Sequence, residues 1–89
     1  MGVVDKQYVE NRLKAAESGK AEALYDLGLL YSIGQGVEQN NIEAHKWFNL
    51  AAMRGMLSAQ IDRAEVADCM SHIEISEAQR KAREWMVTH

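Results

Sequence analysis

The chain has 89 residues, 47% of them hydrophobic and 26% charged, which is enough apolar material for one folded domain and unlike the apolar-poor composition of disordered chains. Thirteen acidic against ten basic side chains give a formal charge of -3, so the clustered basic excess that nucleic acid requires is missing. Cys69 is the only cysteine, which excludes an internal disulfide, and no run of about 18 apolar residues offers a membrane span. The opening MGVVDKQYVENRLK lacks the apolar heart of a secretory signal, so a cytoplasmic location is expected, although a mature exported fragment fits the same residues.

Proline is absent and helix-forming residues dominate, so helices are expected throughout, with glycines as punctuation. Helix one begins after Asp5, a good N-cap, carries Val9, Leu13 and Ala16 on one face and closes at Gly19. Helix two runs from Ala21 to Ile33, with Ala23, Leu27, Leu30 and Tyr31 spaced as one apolar face and Gly34 as a left-handed C-terminal cap. Asn40 and Glu43 form a capping-box-like start to helix three, which lines up Ala44, Trp47, Phe48 and Ala51 before Gly55 stops it. Helix four, from Leu57 to about Cys69, places Leu57, Ile61 and Ala64 on one side, with Val66 and Ala67 at the flank. Ser71 and Glu74 make a second capping box, with Met70 and Ile75 as its hydrophobic staple. Helix five then carries Ala78, Ala82, Trp85 and Met86 nearly to the C-terminus.

Gly19 and Gly55 lie 36 residues apart, and the same offset relates Ala15 and Ala16 to Ala51 and Ala52, Ala23 to Ala59, and Asp26 to Asp62. A period in this range signals helix pairs that stack, each burying its face on the next.

The run Ala23, Leu27, Gly28, Tyr31, Gly34, Gly36 and Val37, continued by Ala44, Trp47, Ala51, Ala52 and Gly55, resembles the consensus of the Sel-one-like repeat, a relative of the tetratricopeptide repeat. Residues 21–55 fill nearly every signature position. Residues 5–19 resemble the second helix of a preceding repeat, with Asn11 where the family places a large aromatic. Residues 57–89 resemble a degenerate repeat and its capping helix: Arg63 and Ala64 replace the Leu-Gly pair, and SEAQRKAREW is similar to the terminal helix of bacterial members. The resemblance implies one all-α domain over 1–89, a short right-handed solenoid of about five antiparallel helices with one complete repeat between two capping helices.

The paired glycines of SIGQGV do not form a phosphate cradle, because a helix rather than a strand precedes them and no lysine follows. They are expected to cap helix two and turn the chain back. Gly28, inside a helix where glycine costs about 1 kcal/mol, is expected to admit a close neighbour, the ring of Trp47 or the backbone beneath it. Cys69 and His72 have the spacing of half a zinc site, but neither His45, His89 nor the acids supply a second pair, and no metal or other cofactor is expected. No third group orients a Cys69–His72 pair, so no catalytic residue is assigned and an enzyme is not expected; a small hydrolase using Cys69 or a histidine is the remote alternative. Some members of the resembled family are disulfide-stapled and linked to cell-wall or β-lactam chemistry, and this chain lacks their cysteine pairs. Arg80, Lys81 and Arg83 sit beside Glu77 and Glu84 at ion-pair spacing, which favours a solvated helix face over an anionic partner. Trp47 and Phe48 read as core rather than as a ligand cage.

Helix two is apolar on too many sides, with Leu24, Tyr25, Leu29 and Ile33 beyond its packing stripe. The resemblance implies that first helices line the concave side of the stack, which puts Glu22, Tyr25, Leu29, Ser32 and Ile33 there. The 36-residue offset adds Ser58, Ile61, Glu65, Asp68 and Cys69 from helix four. The implied function is binding of a protein or peptide on an apolar floor with acidic margins, as an adaptor or regulatory scaffold. The alternative is a self-associating protein whose apolar face is buried in its own copy; a monomer or weak homo-oligomer is expected, with no membrane partner. Helix one or the end of helix five folding over the floor is an equally open outcome at this point.

Overall fold

The computed structural model describes residues 6–89, which form five helices: α1 (Lys6–Glu17), α2 (Ala21–Ile33), α3 (Asn41–Met53), α4 (Leu57–Ala67) and α5 (His72–Thr88). The expected Asp5 cap lies outside the described residues. No strand occurs among the described residues. α4 stops at Ala67, two residues short of the expected Cys69, while the ends of α2 and the start of α5 follow the local chemistry. Gly34 takes φ 75° and ψ 45° and returns its N–H to the Leu30 carbonyl, a left-handed cap that an L side chain adopts only at a cost. Ser71 and Glu74 form the full reciprocal capping box. The box at α3 is only half made: Asn40 Oδ1 accepts from the Glu43 N–H at 3.1 Å, but the Asn40 N–H already donates to the Tyr31 carbonyl. The Glu43 carboxylate is thereby left to hold Lys46 and, across to α5, Lys81.

The helices pack as α1 on α2, α2 on α3, α3 on α4 and α3 on α5. α3 is thus the common core, and it buries Ala44, Trp47, Phe48, Leu50, Ala51 and Ala52. From α2, Leu24, Leu27 and Leu30 join it. Leu24 therefore belongs to the packing stripe of helix two, which is wider than the sequence periodicity suggested. α5 buries Ala78 and Ala82 and sets Trp85 edge-on to Trp47 at 5.9 Å. Contacts of Lys81 with Glu43 near the start of α3, and of Trp85 with Trp47 further along, show that α5 runs parallel to α3, as equivalent helices of successive stacked pairs do. Arg54 Nε donates to the Gly19 carbonyl at 2.7 Å, which ties the α3–α4 turn to the α1–α2 turn.

Gly28 does admit a close neighbour, but it is Phe48 rather than Trp47. A Cβ at Gly28 would collide with the edge of the Phe48 ring, Cδ1 and Cε1 being the nearest atoms. The adjacent position on α3 wins because α2 and α3 cross there with Phe48 turned toward α2, while Trp47 turns toward α5.

Candidate functional site: the cleft between α2 and α4

α2 and α4 lie side by side on α3 and leave a cleft of about 310 Å³ between them. Its α2 wall is Leu29 and Ser32, and its opposite wall is Asp62, Glu65 and Val66 of α4 with Cys69 in the turn that follows. Phe48 closes the bottom, and Asn41 closes one end. No residue of α1 or α5 lines it. α1 packs on α2 and α5 on α3, so among the described residues neither terminal helix covers the cleft.

Of the residues singled out in the sequence, Leu29, Ser32, Glu65 and Cys69 meet in this cleft. Tyr25 stands at its edge with its ring 5.6 Å from that of Phe48 and its hydroxyl donating to Asp62 Oδ2 at 2.5 Å. This bond is what brings α4 to α2. Its acceptor holds the Tyr25 hydroxyl in the protonated form, so the Tyr25 pKa is raised, first by that hydrogen bond, then by burial. Ile33 and Ile61 are 61% and 55% exposed and do not line the cleft. Asp68 and Ser58 are exposed on α4. Glu22 lies toward α1, beside Arg12 and Lys20.

Asp62, Val66, Asn41 and Phe48 are cleft residues that the repeat offset did not single out. For Asp62 a signal was present, since it stands 36 residues after Asp26, which faces α1 and pairs with Arg12 at 3.3 Å. By repeat symmetry Asp62 had to face α2.

The margin of the cleft is acidic: no Lys or Arg lines it, and Glu65 and Asp68 form no ion pair within the described residues. Elsewhere Asp26 pairs with Arg12, Glu43 with two lysines, and Glu77 and Glu84 with Arg80. Cys69 is a free, exposed thiol, and among the described residues no group of three or more His, Cys, Asp or Glu side chains is placed to hold a metal. No helix of the described residues is long and apolar enough to cross a membrane.

A buried histidine lies beneath α4. His45 is 3% exposed and its Nδ1 has no hydrogen-bond partner. Burial, and secondarily the charge of Arg63, push its pKa below the ordinary value. The sequence marked His45 only as an insufficient metal ligand.

No curated protein matches the chain. A family model, that of the Sel1 repeat, matches residues 21–56, the segment that contains α2, α3 and the turn that delivers α4. The match starts at the first residue of α2 and stops one residue before α4, so it covers the one helix pair whose packing is complete. The small all-helical protein, with its Sel1 repeat match over residues 21–56, is consistent with the Sel1-like repeat family.

Proposed function

We propose that the chain is a non-enzymatic interaction module that takes a peptide, or an exposed segment of another protein, in the cleft between α2 and α4. Sel1 repeats are generally protein-interaction modules. The observation that carries the reading here is an open cleft with apolar lining: Leu29, Phe48 and Val66 line it, Leu29 is an exposed large aliphatic, and no terminal helix lies over it. An apolar concavity with a charged rim suits an extended or helical segment whose apolar anchors enter the cleft while its charges meet the rim. Glu65 and Asp68 favour basic residues beside those anchors, and they act mainly on the rate of association. Tyr25 supports the wall from its bond to Asp62, so its ring contributes to both binding and the α2–α4 seam. The proposed setting is the cytoplasm, where the lone Cys69 thiol stays reduced.

The test is a selection from a displayed library of short peptides against the purified chain, with Leu29→Asp as the counter-target. Leu29 is exposed, so its replacement leaves the core untouched. Selected peptides should carry apolar anchors next to Lys or Arg, and should bind Leu29→Asp about tenfold or more weakly. Peptides that bind both proteins equally, or no enrichment at all, would overturn the reading.

A further inference from the structure

α5 presents a second surface without a partner. Ala78, Ala82 and Trp85 turn toward α3, and the opposite face carries Ile73, Arg80, Arg83 and Val87. These are spaced by seven, three and four residues, one stripe of an α-helix about 21 Å long. Ile73 and Val87 are 80% and 86% exposed, the two most exposed large hydrophobics among the described residues. Between them, Arg80 is engaged by Glu77 and Glu84, whereas Arg83 has no ion-pair partner among the described residues.

This stripe is the complement of the cleft. One surface is apolar with unmatched acid, Leu29 beside Glu65 and Asp68; the other is apolar with unmatched base, Ile73 and Val87 beside Arg83. The stripe is longer than the lined part of the cleft, Leu29 to Ser32 on α2 and Asp62 to Cys69 opposite, so one end of it seats in the cleft and the other reaches past it. A chain cannot lay its own α5 in its own cleft while Ala78, Ala82 and Trp85 remain seated on α3. We propose that the occupant of the cleft is α5 of a second copy of this chain, laid in as a helix in a groove with Val87 as the anchor and Arg83 against Glu65 or Asp68. The proposal rests on the reading of the cleft as a binding site and names its partner. The two surfaces differ, so the contact is head-to-tail and leaves a free cleft at one end of a dimer and a free stripe at the other. One helix in a short cleft stays below the area of a standard interface, about 1,200 Å², so association is weak and concentration-dependent, and added salt weakens it further.

Sedimentation of the purified chain over a range of concentrations tests this, with Leu29→Asp as the cleft variant and Val87→Asp as the stripe variant; circular dichroism checks that both stay folded. The weight-average mass of the wild type should rise with concentration, and each variant alone should associate about tenfold more weakly or less. An equimolar mixture of the two should form a dimer and nothing larger, because it holds one intact cleft and one intact stripe. Pairing Glu65→Arg with Arg83→Glu in the same mixing format should restore association that either change alone removes. A wild type that is monomeric up to about 1 mM, self-association indifferent to Leu29→Asp, or a variant mixture that stays monomeric would each overturn the proposal. If the chain is monomeric while peptide selection still yields Leu29-dependent ligands, the second copy is wrong and the cleft reading stands; if the selection fails as well, both fall.

Discussion

The pairs α2–α3 and α4–α5 occupy equivalent places in the repeat, yet only the first is a packed pair. In α2–α3, Gly28 lets the Phe48 ring sit against the α2 backbone, and Leu24, Leu27 and Leu50 are fully buried around that contact. Thirty-six residues on, Gly28 becomes Ala64, Leu27 becomes Arg63, Trp47 becomes Arg83 and Phe48 becomes Glu84. The lock of a missing side chain and a flat ring has no counterpart. α4 and α5 dock separately on α3 instead, burying Ala59 on one and Ala78 and Ala82 on the other. The stack thus ends by using small residues to seat two helices on a shared core helix, which leaves their outer faces, with Leu57, Ile61, Ile73 and Val87, in solvent. Repeat register alone does not produce a repeat's packing; the complementary pair of side chains does.

The largest expected effect follows from that lock. Phe48→Ala should destabilise the protein by about 3–5 kcal/mol, as truncation of a buried aromatic does, and Trp47→Ala should fall in the same range. Ile61→Ala, an equally apolar residue on the exposed face of α4, should cost under about 0.5 kcal/mol beyond its small effect on helix propensity. Chemical denaturation of the three variants reads the contrast directly. A cost for Phe48→Ala near 1 kcal/mol would mean that the two pairs are held alike.

Next in size is the glycine. Gly28→Ala drives a methyl into the edge of the Phe48 ring and forces α2 and α3 apart, at about 1–3 kcal/mol of strain, opposing a helix-propensity gain of about 1 kcal/mol. The net should be a loss. At the equivalent place in α4, Ala64→Gly meets no such neighbour and should lose only the propensity, about 1 kcal/mol. If Gly28→Ala melts at a higher temperature than the wild type, Phe48 yields and the lock is looser than its geometry.

Much of this fold was legible in the sequence because its cues are local. The Gly34 cap, the Ser71–Glu74 box and the bounds of α2 depend on a few adjacent residues, and all three are in place. Long-range choices were less legible. The neighbour of Gly28 depends on the rotation of α3 about its axis, which divides Phe48 toward α2 from Trp47 toward α5, and periodicity places both on one broad face. Helix four showed its limits for the same reason: its visible stripe, Leu57, Ile61 and Ala64, is the outer face, while the inner one is built from Ala59, Arg63 and Val66, a set too short and too mixed to read as a core. In the cleft, Leu29 and Ser32 followed from the family resemblance, and Glu65 and Cys69 from the offset. Asn41 and Phe48 did not, because they rise from the second helix of the pair, which the repeat logic assigns to the convex side.

The seam between the two pairs should be weaker than either lock. Tyr25→Phe removes the hydroxyl that donates to Asp62 and leaves the ring on Phe48. A hydrogen bond to a charged acceptor contributes about 1.5–3 kcal/mol when sheltered; Tyr25 and Asp62 are only half-buried, and about 1 kcal/mol is the expected loss after solvent screening. The same bond gives an alkaline signature. The folded pKa of Tyr25 is raised above its usual 10.0, so its contribution is fully present below about pH 10 and is lost as pH rises through the folded value. Hydrogen exchange should quicken in α4 before α3 in the Tyr25→Phe variant. Uniform quickening would show that α4 and the complete repeat open as one unit.

The smallest expected effect appears on acidification, at His45 beneath α4. Its folded pKa is depressed below the usual 6.5, by burial first and by the charge of Arg63 second. Protons therefore bind more readily to the unfolded chain, and stability is fully present above about pH 6.5 and falls as pH drops through the folded value. Protonation inside the fold has nothing to offset it: Nδ1 lacks a hydrogen-bond partner, and Arg63, which donates to Asn49 Oδ1 at 2.6 Å, adds a like charge across the α3–α4 contact. The contact that suffers is the one that seats α4. His45→Leu removes the titration and an unsatisfied polar atom together, so its melting temperature should be at or above that of the wild type at neutral pH and should fall less steeply between about pH 7 and pH 5. Arg63→Gln keeps a donor for Asn49 while removing the charge, and it should shift the wild-type acid transition to lower pH. If the acid limbs of wild type and His45→Leu coincide, carboxylate protonation elsewhere accounts for the whole of the acid loss, and His45 leaves α4 no less firmly seated at pH 5 than at pH 7.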